Sequence, residues 1–548
     1  MRNSLLRLWT SLSTPGLLVG ILFFAASLTP SLIPRPYPMQ GVLSGCSLAA
    51  GYGLGVFGRW LWFYLELPGV MPDVERGVKA AALLVAGATA IAFLWQASRW
   101  QNSVRSLMGL EPVQTAEPVE LAIIAFFVFL LFVALARLFA MTFAFLSRKL
   151  ERVTPKPVAR VLGILLAFAL FWSIADGVLF KAALRLADSS FRELDALIDS
   201  DLAPPADPSK TGSTASLIPW GDLGFRGREF VASGPTGEKI GTFLRQPALE
   251  PIRVYVGLNA AKTAKERAAL ALAELKRVGA FERSILIVVV PTGTGWVDPA
   301  AMDTVEYLHR GDVASVALQY SYLTSWLSLL VEPSYGAEAG EALFRQVYDH
   351  WTTLPKDKRP KLYLHGLSLG ALNSERSADL FDVIGDPFQG ALWSGPPFES
   401  AGWRSVTAGR DPGSPAWLPR FRDSSVIRFT AQKNALDISG AQWGPMRIVY
   451  LQYASDPVTF FDFHALYREP DWMKQPRGLD VSPDLTWYPV VTMLQLALDM
   501  AMATTSPMGY GHVYAPEHYV DAWMAVTDPQ GLAPGDVDRL KAMVSKRD

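Results

Sequence analysis

Two regimes of hydrophobic patterning divide the chain. Up to about residue 183, apolar residues run in long, nearly uninterrupted blocks at 16–34, 41–63, 78–97, 119–146 and 158–183. A stretch such as IIAFFVFLLFVALA has no polar face to turn toward water. Each block is close to or beyond the ~20 residues that a helix needs to cross a bilayer. The pattern predicts an N-terminal bundle of five membrane-spanning helices. From about residue 220 it changes to short β-branched runs separated by amphipathic segments. IRVYVGL (252–258), SILIVVVP (284–291), VASVALQYS (313–321), KLYLH (361–365), GALWSG (390–395) and MRIVYLQY (446–453) read as buried strands. TAKERAALALAELKRVG and GEALFRQVYDHWTTL between them read as helices. This alternation predicts an α/β domain, a mostly parallel sheet with helices on both faces.

Between the two regimes, residues 188–219 open with a short amphipathic helix around SFRELDALIDSDL. They continue as APPADPSKTGSTAS, a Pro-, Ser-, Thr- and Gly-rich linker. The expected organisation is a transmembrane domain at 1–187, a linker at 188–219 and an α/β catalytic domain at 220–548.

Composition narrows the chemistry. The net charge of -1 over 548 residues leaves no basic footprint for nucleic acid. The single cysteine, Cys46, excludes an internal disulfide framework and a cysteine-built metal cluster. The six histidines are scattered, with no HExxH pair, so no metal and no cofactor are expected. The partners implied are the lipid bilayer and an ester or lipid-like substrate; oligomeric state is not legible. With the N-terminus inside, nine Lys and Arg fall on the inner side of five spans and five on the outer. The dense cluster Arg148, Lys149, Arg152, Lys156 and Arg160 carries most of this bias. An odd number of spans then places the C-terminal domain outside the cytoplasm. Charges inside the spans are Arg59, Arg137 and Asp176. Arg59 can snorkel, and Arg137 and Asp176 differ in depth by roughly 13 Å, so they are not expected to pair.

The catalytic signal is Gly366-Leu367-Ser368-Leu369-Gly370, which follows a buried strand and opens a helix. That context is the strand–turn–helix of a nucleophile elbow, in which the glycines permit a sharp turn and Ser368 projects above the sheet. A nucleophilic serine needs an acid and a base after it in the chain. Asp456, in Ala-Ser-Asp-Pro-Val at a strand's carboxyl end, is the expected acid, ahead of Asp437 and Asp462. His512, in a glycine-flanked loop just before the last helix, is the expected base. His365 reads as packing, His518 lies on the terminal helix, His464 is too near the acid, and His309 and His350 precede the serine. For the oxyanion, the Leu369 amide is one expected donor. The loop PTGTGW (291–296), after the strand two before the elbow, supplies the other through Thr292 or Gly293.

The motifs SLTPSLIPR (27–35), LGFRGREFV (223–231), PTGTGWVDP (291–299), VALQYSYLTSW (316–326), HGLSLG (365–370), ASDPV (454–458), WYPVVT (487–492) and GHVY (511–514) span nearly the whole chain. Through them it resembles a family of bacterial membrane-anchored α/β-hydrolases. The resemblance implies a multi-span domain joined to a serine-hydrolase domain in a bacterial cell membrane, with Ser368, Asp456 and His512 as triad. It implies no particular substrate. Ester hydrolysis is the expected reaction. Acyl transfer to a lipid or envelope glycan is the alternative, and an inert hydrolase-like domain in a transport or assembly factor is the second. One departure stands out: no strand is legible between Asp456 and His512, only the apolar helix-like stretch 487–503. That stretch reads as core packing, or as a lid or wall facing the membrane.

Overall fold

The computed structural model describes residues 12–68, 72–180, 202–322, 333–379 and 383–546. The chain forms two compact units. One comprises 1–185 together with 461–474 and 479–502; the other comprises 186–460, 475–478 and 503–548.

The first unit holds helices α1 (Thr14–Ser27), α2 (Tyr37–Tyr64), α3 (Pro72–Leu107), α4 (Pro118–Leu150) and α5 (Lys156–Trp172), the last continued by a π-helical turn, Ser173–Phe180, that carries Asp176. Four of these regions are long and apolar enough to cross a membrane: Tyr37–Tyr64, Gly77–Leu107, Pro118–Leu150 and Lys156–Gly177. The expected first span is corrected. At 14 residues, α1 rises roughly 21 Å, short of a ~30 Å hydrocarbon core. The apolar run continues past Ser27, but Pro30, Pro34 and Pro36 cannot continue a helix. Where α1 and α2 cross, the glycines Gly51 and Gly55 let the backbones touch: a Cβ on Gly55 would lie 2.5 Å from the Pro15 carbonyl oxygen. Large apolar side chains such as Leu84, Trp95 and Phe127 point outward, as on a lipid-facing surface.

The unit is completed by a segment from far along the chain, residues 461–474 and 479–502. Helix Val491–Ala501, read from sequence as core packing or as a lid or wall facing the membrane, packs with α1 and α2. Its inward face carries Gln495 and Asp499. Asp499 accepts the Leu32 amide at 2.9 Å, and the Gln495 side-chain amide donates to the Thr29 carbonyl at 3.0 Å. Burial pushes the Asp499 carboxyl up against the opposing pull of buried Arg35, whose guanidinium donates to the Thr29 carbonyl at 2.9 Å. Ser482 and Ser103 hydroxyls lie 2.7 Å apart. The SLTPSLIPR motif is thus the turn on which this late segment closes.

The second unit is a seven-stranded, wholly parallel sheet in the order β1-β3-β2-β4-β5-β7-β6. The strands are β1 (Ile252–Val256), β2 (Ile285–Val290), β3 (Val313–Leu318), β4 (Lys361–Leu367), β5 (Gly390–Ser394), β6 (Ile427–Thr430) and β7 (Arg447–Leu451). β2, β3 and nearly all of β4 are buried along their whole length, which is why they read as continuous apolar runs. The helices that matter for the site are α6 (Ala264–Arg277), α7 (Pro299–Leu308), α8 (Pro333–Thr353), α9 (Leu369–Ser377), α10 (Pro516–Thr527) and α11 (Asp536–Val544). α6 begins with a capping box, Thr263 with Glu266. The last part of the linker is pinned rather than free: Glu274 accepts the Ser216 hydroxyl at 2.7 Å and the Leu217 amide at 3.0 Å. The amphipathic helix expected at 190–202 lies almost wholly outside the described residues.

Strand β6 was not legible in the sequence, and among the described residues no strand follows β7. β6 occupies the edge beside β7, so the sheet is closed there by chain that precedes the acid. α7 is locked to β1 by Arg253, whose buried guanidinium donates to Glu306 at 2.8 Å and to Asp303 at 2.7 Å.

Replacing Asp499 by Ala removes a buried acceptor from the Leu32 amide and leaves buried Arg35 without its counter-charge. Asp499→Ala is expected to cost about 1–3 kcal/mol and Asp499→Asn less, read as a fall in thermal midpoint of the full chain in detergent. Equal midpoints for all three proteins would contradict this role.

Candidate active site

The order β3-β2-β4 reverses the direction in which the chain steps across the sheet. β2 is followed by β3 on one side, β4 by β5 on the other, and the crevice at their carboxyl ends is where open α/β sheets bind ligands. The loop after β2 and the turn after β4 are neighbours there for that reason.

β4 ends at Leu367, and Ser368 takes φ 59° and ψ −128° before α9 begins at Leu369. A non-glycine residue in that region costs about 1–3 kcal/mol and needs its surroundings to hold it. The Ser368 amide donates to the Ser394 carbonyl at the end of β5 (3.0 Å), and the Ser368 carbonyl accepts from Ala371 at 2.9 Å. The flanking glycines are steric requirements: a Cβ on Gly366 would collide with the Gly370 carbonyl, and one on Gly370 with the Val290 carbonyl oxygen. Leu369 opens α9, so its amide has no partner within the helix. This is the position expected of an oxyanion donor.

Asp456 follows β7 and is fully buried. Its Oδ1 accepts the Val458 amide at 2.8 Å; its Oδ2 accepts the Tyr514 hydroxyl at 2.7 Å and meets His512 Nδ1 at 2.8 Å. With Nδ1–H donated to the carboxylate, Nε2 presents a lone pair. Nε2 is buried and has no hydrogen-bond partner among the described residues. The loop holding the imidazole is tight: the Gly511 amide donates to Ser455 Oγ at 2.9 Å and the His512 amide to the Ala503 carbonyl at 3.2 Å. Tyr514 stacks on Tyr453 at 4.4 Å between centroids. Ser368 and His512 each approach one of two consecutive residues at the same strand end. Ser394 accepts the Ser368 amide, and Gly395 (φ 49°) faces the imidazole so closely that a Cβ there would lie 2.7 Å from His512 Cε1.

The other histidines are committed elsewhere. His365 Nδ1 bonds the Leu392 carbonyl at 2.8 Å, and burial lowers its pKa to about 4. His518 is held by the Tyr453 hydroxyl (2.6 Å), His309 by Thr527 (2.7 Å) and His464 by Asp462 (2.7 Å). His350 packs edge-on against Phe281. Asp462 thereby serves a local turn, and Asp437 is exposed.

In the loop after β2, the Thr292 amide donates to the Trp296 carbonyl at 2.9 Å, so of Thr292 and Gly293 the former has its N–H committed to closing the loop. The loop is clamped from β1, where the Tyr255 hydroxyl donates to the Gly295 carbonyl at 2.7 Å.

A cleft of about 500 Å³ is lined by Trp296, Leu367 and His512, and beyond them by Asp298, Met508 and Val544 among others. Asp298 caps α7 through the Ala300 amide (2.9 Å) and accepts the Tyr519 hydroxyl (2.9 Å); burial pushes its carboxyl up to about 7. Tyr514, Tyr519, Asp298 and Gly395 were not singled out from sequence. Only VDP, an acid just before a proline-started helix, carried a readable cap signal.

A family model described as "Alpha/beta-hydrolase family" matches residues 252–540, and one described as "Alpha/beta-hydrolase family N-terminus" matches residues 28–235. No curated protein and no solved structure matches the chain. The first match covers the whole parallel sheet, the turn at Ser368, Asp456 and the His512 loop, and the second covers the four helices long and apolar enough to cross a membrane. The chain belongs to this α/β-hydrolase family, with its distinct N-terminal domain.

Proposed function

We propose that the chain is a membrane-anchored serine hydrolase that cleaves carboxylic esters through an acyl-enzyme. The observation that carries this reading is the buried Asp456–His512 pair, with Nε2 unpartnered, beside a serine held at positive φ between β4 and α9. In the reaction, His512 Nε2 takes the Ser368 hydroxyl proton as Oγ attacks the acyl carbon. Asp456 holds the Nδ1–H tautomer and stabilises the imidazolium. The Leu369 amide, with Gly293 from the β2 loop, receives the negative oxygen of the tetrahedral intermediate. Collapse of that intermediate breaks the ester C–O bond, and His512 returns its proton to the departing alcohol. Water, deprotonated by His512, then attacks the acyl-enzyme and releases the acid. Apolar bilayer-facing helices and an apolar cleft favour an acyl or lipid ester.

Sidedness belongs to the same proposal. It no longer rests on an odd count of spans, since four helices have spanning length. Arg148, Lys149, Arg152, Lys156 and Arg160 crowd the turn between α4 and α5. If that turn is cytoplasmic, α5 delivers the catalytic unit to the opposite side however many spans precede it.

Three outcomes are expected. A fluorophosphonate probe labels Ser368 in the full-length protein, and Ser368→Ala abolishes both labelling and ester hydrolysis; an unlabelled native protein would mark the hydrolase unit as inert. Asp456→Asn lowers kcat by about 10⁴, the loss seen when the tautomer-setting acid is neutralised, with KM little changed. A membrane-impermeant form of the probe labels intact cells; labelling only after permeabilisation would put the catalytic unit in the cytoplasm.

A further inference from the structure

The cleft beside His512 is more selective than an apolar groove. Its volume of about 500 Å³ is that of a small-molecule site. His512 lines it, together with Trp296 from the β2 loop and Leu367, which directly precedes Ser368. Apolar groups such as Pro299, Val513 and Val544 form much of its wall, and among the described residues neither lysine nor arginine lines it. It does contain two carboxyls. That of Asp303 is matched by Arg253 at 2.7 Å. Asp298 has a different environment: its partners are the neutral Ala300 amide and the neutral Tyr519 hydroxyl, and it is 6% exposed. A carboxyl so placed carries negative charge only at a cost that a cation in the cleft would remove. An anion entering the cleft would meet carboxyls and no countercharge. The indole of Trp296 on the same wall adds a face attractive to a cation. His512, whose Nε2 is buried and has no hydrogen-bond partner among the described residues, also lines this cleft, which links a group seated there to the proposed catalytic base.

We propose that this cleft recognises an ammonium group carried on an apolar body, with Asp298 as its carboxylate partner and Trp296 alongside. The proposal rests on the serine-hydrolase reading for its link to catalysis, and it narrows the substrate class to amine-bearing esters, in either the acyl or the alcohol part. Esters with an anionic group at that position are excluded by the same charges.

The test separates this claim from the reading beneath it, because binding is measured without turnover. Benzylammonium, benzyl alcohol and benzoate, three probes of one shape and different charge, are titrated calorimetrically into the full-length protein in nonionic detergent. Benzylammonium is expected to bind at least about tenfold more tightly than benzyl alcohol, the size of a charge-assisted hydrogen bond, and benzoate more weakly than both. Asp298→Asn keeps an acceptor for the Ala300 amide and is expected to erase the preference for the ammonium. Met508→Lys, at an exposed position on the cleft, places a cation at its edge and is expected to weaken benzylammonium while sparing benzyl alcohol. Equal binding of the three probes, or an ammonium preference that survives both substitutions, would overturn the proposal even if Ser368 labels normally. Conversely, an Asp298-dependent ammonium site in a protein whose Ser368 never labels would keep the site and remove the hydrolase.

Discussion

At Ser368 an L-residue sits at φ 59°, a conformation it leaves unless neighbours hold it, and much of the catalytic unit serves to keep it there. β4 must end against β5 so that the Ser394 carbonyl can take the serine amide. β2 must lie on the other side of β4, because the Gly370 backbone rests on Val290 and Pro291 with no room for a side chain. These two adjacencies bring the β2 loop and Gly395, against which the imidazole of His512 rests, to the sheet end that carries Ser368. A sheet in another order would lose one of these neighbours or the serine geometry itself.

The charge side of the site follows the same economy of position. Asp456 is fully buried, yet its carboxylate is surrounded by donors: two backbone amides, the Thr459 and Tyr514 hydroxyls, and the imidazole. Such a set leaves the carboxyl group no freedom to turn. Tyr514 adds rigidity from a second direction by stacking on Tyr453, which itself holds the Ala515 amide and His518. Rotating the imidazole would therefore disturb several aromatic contacts as well as one hydrogen bond.

What the sequence revealed and what it hid follow from the range of the interactions involved. Six strands were legible because a buried parallel strand must be apolar on both faces, and the elbow because glycine spacing and strand–helix context are local. Ser368, Asp456 and His512 could be ordered along the chain by the same local signals. β6 escaped because four residues, Ile427–Thr430, carry too little pattern to separate from a loop. The first apolar block was over-extended because hydropathy does not register that Pro30, Pro34 and Pro36 break a helix. The partners of helix Val491–Ala501 stayed hidden for a deeper reason. Its apolar residues look the same whether they meet their own sheet or α1 and α2, and the partners that settle the matter, Leu32 and Asp499, are 467 residues apart.

That separation has a consequence for how the molecule is made. A ribosome adds residues at about 5–20 per second, and domains emerging in order usually fold in order. Here the helices of the first unit keep an unfilled polar notch, with Arg35 and the Leu32 amide waiting, until residue 499 has been synthesised. The whole seven-stranded sheet is made in the meantime. The helical unit is therefore begun before the sheet and completed only after it, and a chain interrupted between its helices and residue 499 leaves a bundle that cannot be completed.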